Sequence, residues 1–232
     1  MEYIFAAVLT IVGVVLFYVG MSRQRLAQLI EETPTTVSNM ISTFGLYEIK
    51  GVIEADRTLD TPGTGEPCVW YKVVVEQVVE RYGGIGRHRG RQRYWEVTRN
   101  EELGLTFNVR DAGGTFPVNP SGAQVDAPKV PIEGQDSLLQ FLGLDSLTSG
   151  QRISVWSLTP GTEVYVLGEV QPDAGGKNSI GRGHGEYPFV ISHRKEHELL
   201  RSATAGAWAW MFGGGLAIIV AGLMIALRLS KG

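Results

Sequence analysis

Cysteine is almost absent from this chain. Cys68 stands alone among 232 residues, so no intramolecular disulfide can form and cysteine usage does not report a redox compartment. Histidine is scarce too: His88, His184, His193 and His197. With Cys68 that makes five Cys/His residues, whereas two cross-braced zinc sites draw on roughly eight. A zinc domain of the RING type cannot be built from these residues, and neither a metal nor another cofactor is expected. His193 and His197 are four apart. Without the glutamate of H-E-x-x-H or a third ligand, they read as a solvated helical face. Cys68, beside Val69 and Trp70, reads as a buried small hydrophobe. Charge of one sign is also lacking: 21 Lys+Arg stand against 24 Asp+Glu, and no basic excess recruits nucleic acid. A P-loop, a dinucleotide fingerprint and a nucleophile–base–orienter set are all missing, so no catalytic residue is assigned.

Long hydrophobic runs, by contrast, are present. Tyr3 to Ser22 holds 20 uncharged residues and Ser202 to Leu227 holds 26. About 20 helical residues span the hydrocarbon core of a bilayer, and a helix satisfies its own backbone there. Residues 3–22 and 202–227 are therefore expected to be transmembrane helices. The first is a retained anchor rather than a cleaved signal peptide. Its n-region has no Lys or Arg, its apolar core is too long, and Arg23 and Arg25 follow the run. Residues 23–201 then form one β-rich soluble domain tethered at both ends.

Within that domain Arg23 to Glu32 continues the first helix, and Thr33-Pro34 ends it. Period-two patterns predict strands over Glu48–Ala55, Cys68–Tyr82, Arg93–Arg99, Leu105–Arg110, Thr115–Val118, Thr162–Val170 and Tyr187–Ser192. In the long strand Val69, Tyr71, Val73 and Val75 share one face, and Lys72, Glu76 and Glu80 the other. Residues 59–67, 120–134 and 173–185 read as loops, Ser137–Leu142 as a short helix, and His193 onward as helix. Many short strands with Gly turns point to a small, OB-like barrel, with helix at the margins. The fold class is thus mainly β, flanked by two membrane helices.

Two features stand out as candidate binding surfaces. Arg81 to Arg93 carries five arginines, and Arg87, Arg89, Arg91 and Arg93 form a candidate site for anionic ligands or lipid headgroups. A solvated hairpin tip, with arginines discouraging edge pairing, is the stronger reading of that run. In the second hydrophobic run Ala205, Ala209, Gly213, Ala217 and Ala221 are small residues at four-residue spacing. Such a stripe lets a helix approach closely. Its partner would be the first helix, with Ala6 and Gly13, or a second copy of the chain.

Several stretches carry a resemblance. They are Gly51-Val-Ile-Glu54; the Cys68-Val-Trp-Tyr71 strand; Trp95; Phe107-x-Val109-x-Asp111-Ala-x-Gly114-x-x-x-Val118-x-Pro120-x-Gly122-Ala123; Pro160-Gly161-Thr-Glu-Val-Tyr-Val-Leu-Gly168-Glu169; and Pro188-Phe-Val-Ile-Ser192. In this order between two hydrophobic runs, over about residues 1 to 230, the chain resembles the GIDE or BAM ("beside a membrane") family. That family is best known from a mitochondrial membrane-anchored RING E3 ubiquitin ligase. The resemblance implies the fold and the anchoring. In the eukaryotic ligase, transfer depends on a RING beyond the second helix. Here five residues follow Leu227, and the RING is expected to be missing.

A non-catalytic, membrane-tethered domain that binds an unidentified protein partner is therefore the leading expectation. One rival is an E3-type component that borrows a RING from another chain; another is a barrel that binds anionic lipid or a ligand. The bilayer itself is a partner, a homo-oligomer would form through the second helix, and nucleic acid is not expected. Arg23, Arg25, Arg194, Lys195 and Arg201 on the domain side outnumber Arg228 and Lys231 beyond it. Charge thus places the domain in the cytoplasm. The resemblance implies the opposite, extracytoplasmic side.

Overall fold

In the computed structural model the residues described are 2–42, 44–83, 90–132, 135–143, 150–172, 176–183, 187–194, 198, 210 and 212–222. They fall into two units, 1–34 with 194–232, and 35–193.

The second unit is mainly β. Five strands close into a barrel: β1 (Gly45–Glu54), β6 (Phe107–Asp111), β7 (Gly114–Val118), β10 (Glu163–Pro172) and β11 (Asn178–Gly181). Their order around the barrel is β1-β6-β7-β11-β10, and β1 pairs with β10 to close it. All of these pairings are antiparallel except β7–β11, which is parallel. β10 is the hub. It pairs with β1 along one edge, and with β12 (Val190–Ser192) and then β11 along the other. Its Val164 to Leu167 run is buried throughout, as expected of a strand covered on both faces. β8 (Gln124–Asp126) extends the sheet beyond β12 in parallel. The core is filled by Ile49, Ile53, Phe107, Val109, Phe116, Val118, Val166, Ile180 and Ile191.

Inserted between β1 and β6 is a long antiparallel arm of β4 (Trp70–Gly83) and β5 (Gly90–Gly104). β4 also pairs with β9 (Gln151–Leu158), giving a three-stranded sheet in the order β5-β4-β9. The short pair β2 (Leu59–Asp60) and β3 (Pro67–Cys68) closes the intervening loop. Helix α2 (Gln135–Leu142) lays Leu138 and Leu142, one turn apart, on Tyr71, Val73, Val75 and Val155. It stops at Gly143, whose φ of +64° is the left-handed C-terminal conformation.

The first unit contains α1 (Glu2–Glu32), one unbroken helix ended ahead of Pro34 as expected. It is the one described helix long and apolar enough to cross a membrane. A shorter apolar helix, α3 (Phe212–Gly222), lies in the second hydrophobic run, and the rest of that run, apart from Trp210, lies outside the described residues.

Three expectations are corrected. Val69 does not share a core with Tyr71, Val73 and Val75. It enters the barrel, because the chain turns between β3 and β4. β9 falls where no strand was expected, and β8 and β11 lie in segments read as loops. His193 and Arg194 form a bend rather than a helix start. The His193 N–H donates to the Asp126 carbonyl at 3.0 Å and its ring Nδ1 lies 2.9 Å from the same oxygen.

Candidate interaction surfaces

The glycines and acids of the resembling motifs have local physical roles. At Gly51, β1 passes from β10 to β6, and a Cβ there would lie 2.2 Å from the Arg110 carbonyl oxygen. At Gly168, β10 changes partner on its far edge. A Cβ would meet Phe189 at 2.7 Å and Ile180 at 2.8 Å. Asp111 ends β6, and its Oδ1 accepts from Gly113 N at 2.7 Å and Gly114 N at 3.1 Å, which shapes the β6–β7 turn. The same carboxylate accepts from Ser38 N and Ser38 Oγ, both at 2.7 Å, and so holds the 3-10 turn Ser38–Met40 on the barrel. Burial pushes the Asp111 carboxyl up; these hydrogen bonds outweigh it and leave the group below the ordinary carboxylate range.

Glu48, 1 % exposed, anchors the same strap from the other side. Tyr165 Oη donates to it at 2.9 Å, Thr35 Oγ1 at 2.5 Å, and Lys50 Nζ lies at 3.0 Å. The Thr36 N–H donates to the Glu48 carbonyl oxygen at 2.7 Å. Thr35 to Met40, the first residues of this unit, are thus clamped to β1 and to the β6–β7 turn. The cluster is a structural fastening: every carboxylate oxygen in it is occupied by the chain's own donors.

The arm has one face ruled by ion pairs. Arg93 Nε pairs with Glu80 at 2.6 Å and Arg91 with the same carboxylate at 3.6 Å. Two of the four candidate anion-binding arginines are therefore engaged within the arm, and Arg87, Arg89 and His88 lie outside the described residues. Further along, Arg152 grips Glu76 through two hydrogen bonds of 2.6 and 2.8 Å and stacks 4.4 Å from the Trp95 ring. The Arg152 hydrogen bonds lower the Glu76 carboxyl and, in turn, raise the Arg152 guanidinium.

At the other end of the arm is a groove of about 500 Å³ bounded by Leu59, Thr61, Tyr71, Leu103 and Phe141. Leu103 is 48 % exposed and Phe141 42 %, although both adjoin buried Tyr71. Phe141 meets Tyr71 edge-to-face at 5.9 Å. Arg99 Nη1 donates to the Leu142 carbonyl at 2.6 Å, which fixes the end of α2 and with it Phe141. Thr61 is buried on the groove floor, and its hydroxyl, beside the Cys68 thiol, completes no well-formed hydrogen bond among the described residues. Burial pushes the Cys68 thiol up, which suits the inert, packed role expected of it. Sequence reasoning did not find this groove, whose walls come from β2, β4, β5 and α2.

In the first unit α1 and α3 touch through glycine. A Cβ on Gly214 would lie 2.6 Å from Gly13 O and 2.7 Å from Phe17 N, and one on Gly13 would lie 3.3 Å from Ala217 Cβ. Ala217 and Ala221 belong to the stripe read from the sequence, and Ala221 is buried. A Cβ on Gly213 would meet nothing within 4 Å, while Ala205 and Ala209 lie outside the described residues. Gly214→Leu is expected to force the helices apart and cost about 1–3 kcal/mol of thermal stability in detergent. Gly213→Leu is expected to be silent in the same melts; the reverse ranking would show that the helices meet on another face. His184 and His197 also lie outside the described residues.

Searches of curated proteins and of solved structures find no match. A family model does match: GIDE, described as E3 ubiquitin ligase, aligns with residues 75–226. The match opens inside β4, so the stretches at Gly51–Glu54 and Cys68–Tyr71 lie ahead of it, whereas the β6–β7 hairpin, β10 and β12 fall within it. It covers well over half of the sequence, and the chain belongs to the GIDE family.

Proposed function

We propose that this chain is a membrane-tethered, non-catalytic interaction domain that holds a partner protein beside a bilayer. The observation that carries the reading is the count of zinc-ligating side chains. One cysteine and four histidines cannot furnish the paired zinc sites through which a RING recruits a ubiquitin-charged enzyme. What the fold does offer is an OB-like barrel, a long arm and an open groove. Small barrels of this kind are binding scaffolds. α1 supplies one anchor, and the second hydrophobic run, with α3 at its middle, supplies the other. Photo-crosslinking of the full chain in native membranes, read by mass spectrometry, tests the reading. A reproducible stoichiometric protein partner is expected, and crosslinks confined to lipid would sink it.

Positive charge on the domain side of both runs supports a cytoplasmic barrel, against the extracytoplasmic side that the resemblance implies. Val97, 55 % exposed on β5, offers a probe site, and buried Cys68 provides the background control. A membrane-impermeant thiol reagent is expected to leave Val97→Cys unlabelled in intact cells and to label it after lysis. Labelling before lysis would place the domain outside.

A further inference from the structure

The arm's β5 strand has one edge to spare. Among the described residues it pairs with β4 alone, so one row of its N–H and C=O groups faces outward. The register between β4 and β5 shifts at Val75/Glu76, which leaves Thr98 as an extra residue whose hydroxyl donates to Val75 O at 3.2 Å. This bulge divides the edge. Before it stand Arg91 and Arg93, charges that blunt an edge. After it, Arg99 to Gly104 runs straight past the groove. Leu103 belongs to both the edge and the groove wall.

We propose that the outer edge of β5 from Arg99 to Gly104 takes an extended peptide of the partner protein by strand addition. A large apolar side chain of that peptide seats between Leu59, Tyr71, Leu103 and Phe141, with basic residues beside it. The proposal rests on the interaction reading above and names the class of partner. Main-chain hydrogen bonds to an open edge give affinity, and a pocket beside the edge gives specificity. The groove has both parts. Two of its walls, Leu103 on β5 and Phe141 on α2, are large apolar side chains left half-exposed over buried Tyr71, as anchor pockets require. Its lining carries one carboxylate, Asp60, and no cation; Glu101, on the same face of β5 as Leu103, is already paired with Arg99. Asp60 selects Lys or Arg beside the anchor. A second copy of this chain fits less well, because pairing β5 with β5 along its length would have to pass the bulge twice.

The test is selection of random linear peptides on the full chain in nanodiscs, with empty nanodiscs as counter-selection. Enriched peptides are expected to carry one large apolar residue flanked by Lys or Arg. Their affinity is expected to fall roughly tenfold or more on Phe141→Asp and on Leu103→Arg, two half-exposed positions whose variants keep the wild-type melting profile. N-methylation of alternate peptide amides is expected to abolish binding, the signature of a strand. No enrichment over empty nanodiscs, equal binding to both variants, or indifference to N-methylation would overturn the proposal. So would enrichment explained by dimerisation of the chain itself. If peptides fail while crosslinking in native membranes still captures a protein, the interaction reading stands and the groove is not its site.

Discussion

Gly51→Ala is expected to prevent stable folding of the barrel. The added methyl would sit 2.2 Å from the Arg110 carbonyl oxygen and 2.8 Å from both Arg110 C and Val109 Cγ1. Two of these three atoms are backbone, so no rotamer change relieves the contact. Relief requires β1 to part from β6 where their pairing begins, at Val52 and Arg110. Overpacking against a movable side chain costs about 1–3 kcal/mol, and a clash with a strand backbone belongs above about 4 kcal/mol. Most small domains hold only about 5–15 kcal/mol in total. Loss of the cooperative melt of Gly51→Ala by circular dichroism is the expected result. A wild-type melt would show that the strands are not packed at this distance.

The second large effect is expected at Asp111. Replacement by alanine orphans the Ser38 amide and hydroxyl and the Gly113 and Gly114 amides together. Hydrogen bonds to a charged acceptor contribute about 1.5–3 kcal/mol each, less where water reaches them, so a loss of about 2–4 kcal/mol is expected. The carboxyl titrates below its ordinary range in the folded protein. The unfolded chain therefore binds a proton first as pH falls. The stabilisation is complete above the unfolded aspartate value of about 4, declines below it, and is gone once pH passes the folded value. Urea unfolding at neutral and acid pH is the check. The stability gap between wild type and Asp111→Asn is expected to narrow on acidification, and a constant gap would mean that the carboxylate carries no such role.

The elements that could be read from sequence are those whose signals are local. The β6–β7 hairpin announced itself through Asp111-Ala-Gly-Gly114, and β10 through a turn at Pro160-Gly161 followed by an unbroken apolar run. The alternation in β4 was visible because Tyr71, Val73 and Val75 bury on one face while Lys72 and Glu76 stay out. β9 was hidden because serine fills two of its buried positions, Ser154 and Ser157, which blurs the apolar pattern. Its partner β4 also lies far away in sequence. β8 and β11 are three and four residues long and sit in Gly- and Pro-rich stretches, too short for a period to register. In the second hydrophobic run the alanines drew the eye to a four-residue period. A helix seam follows a period nearer 3.5, which brings Gly214, Ala217 and Ala221 into line. The groove could not be read at all. Leu59, Leu103 and Phe141 acquire a common purpose only when the arm and α2 pack together.

The GIDE family model is described as E3 ubiquitin ligase, whereas the function proposed for this chain is to hold a partner. The measurement that separates the two is ubiquitin transfer by the full chain, reconstituted in liposomes with ubiquitin-activating and ubiquitin-conjugating enzymes and no other protein. The expected result is an absence of ubiquitin conjugates above the level of protein-free liposomes, in preparations that contain no stoichiometric zinc. Ubiquitin chains built under those conditions would contradict the account.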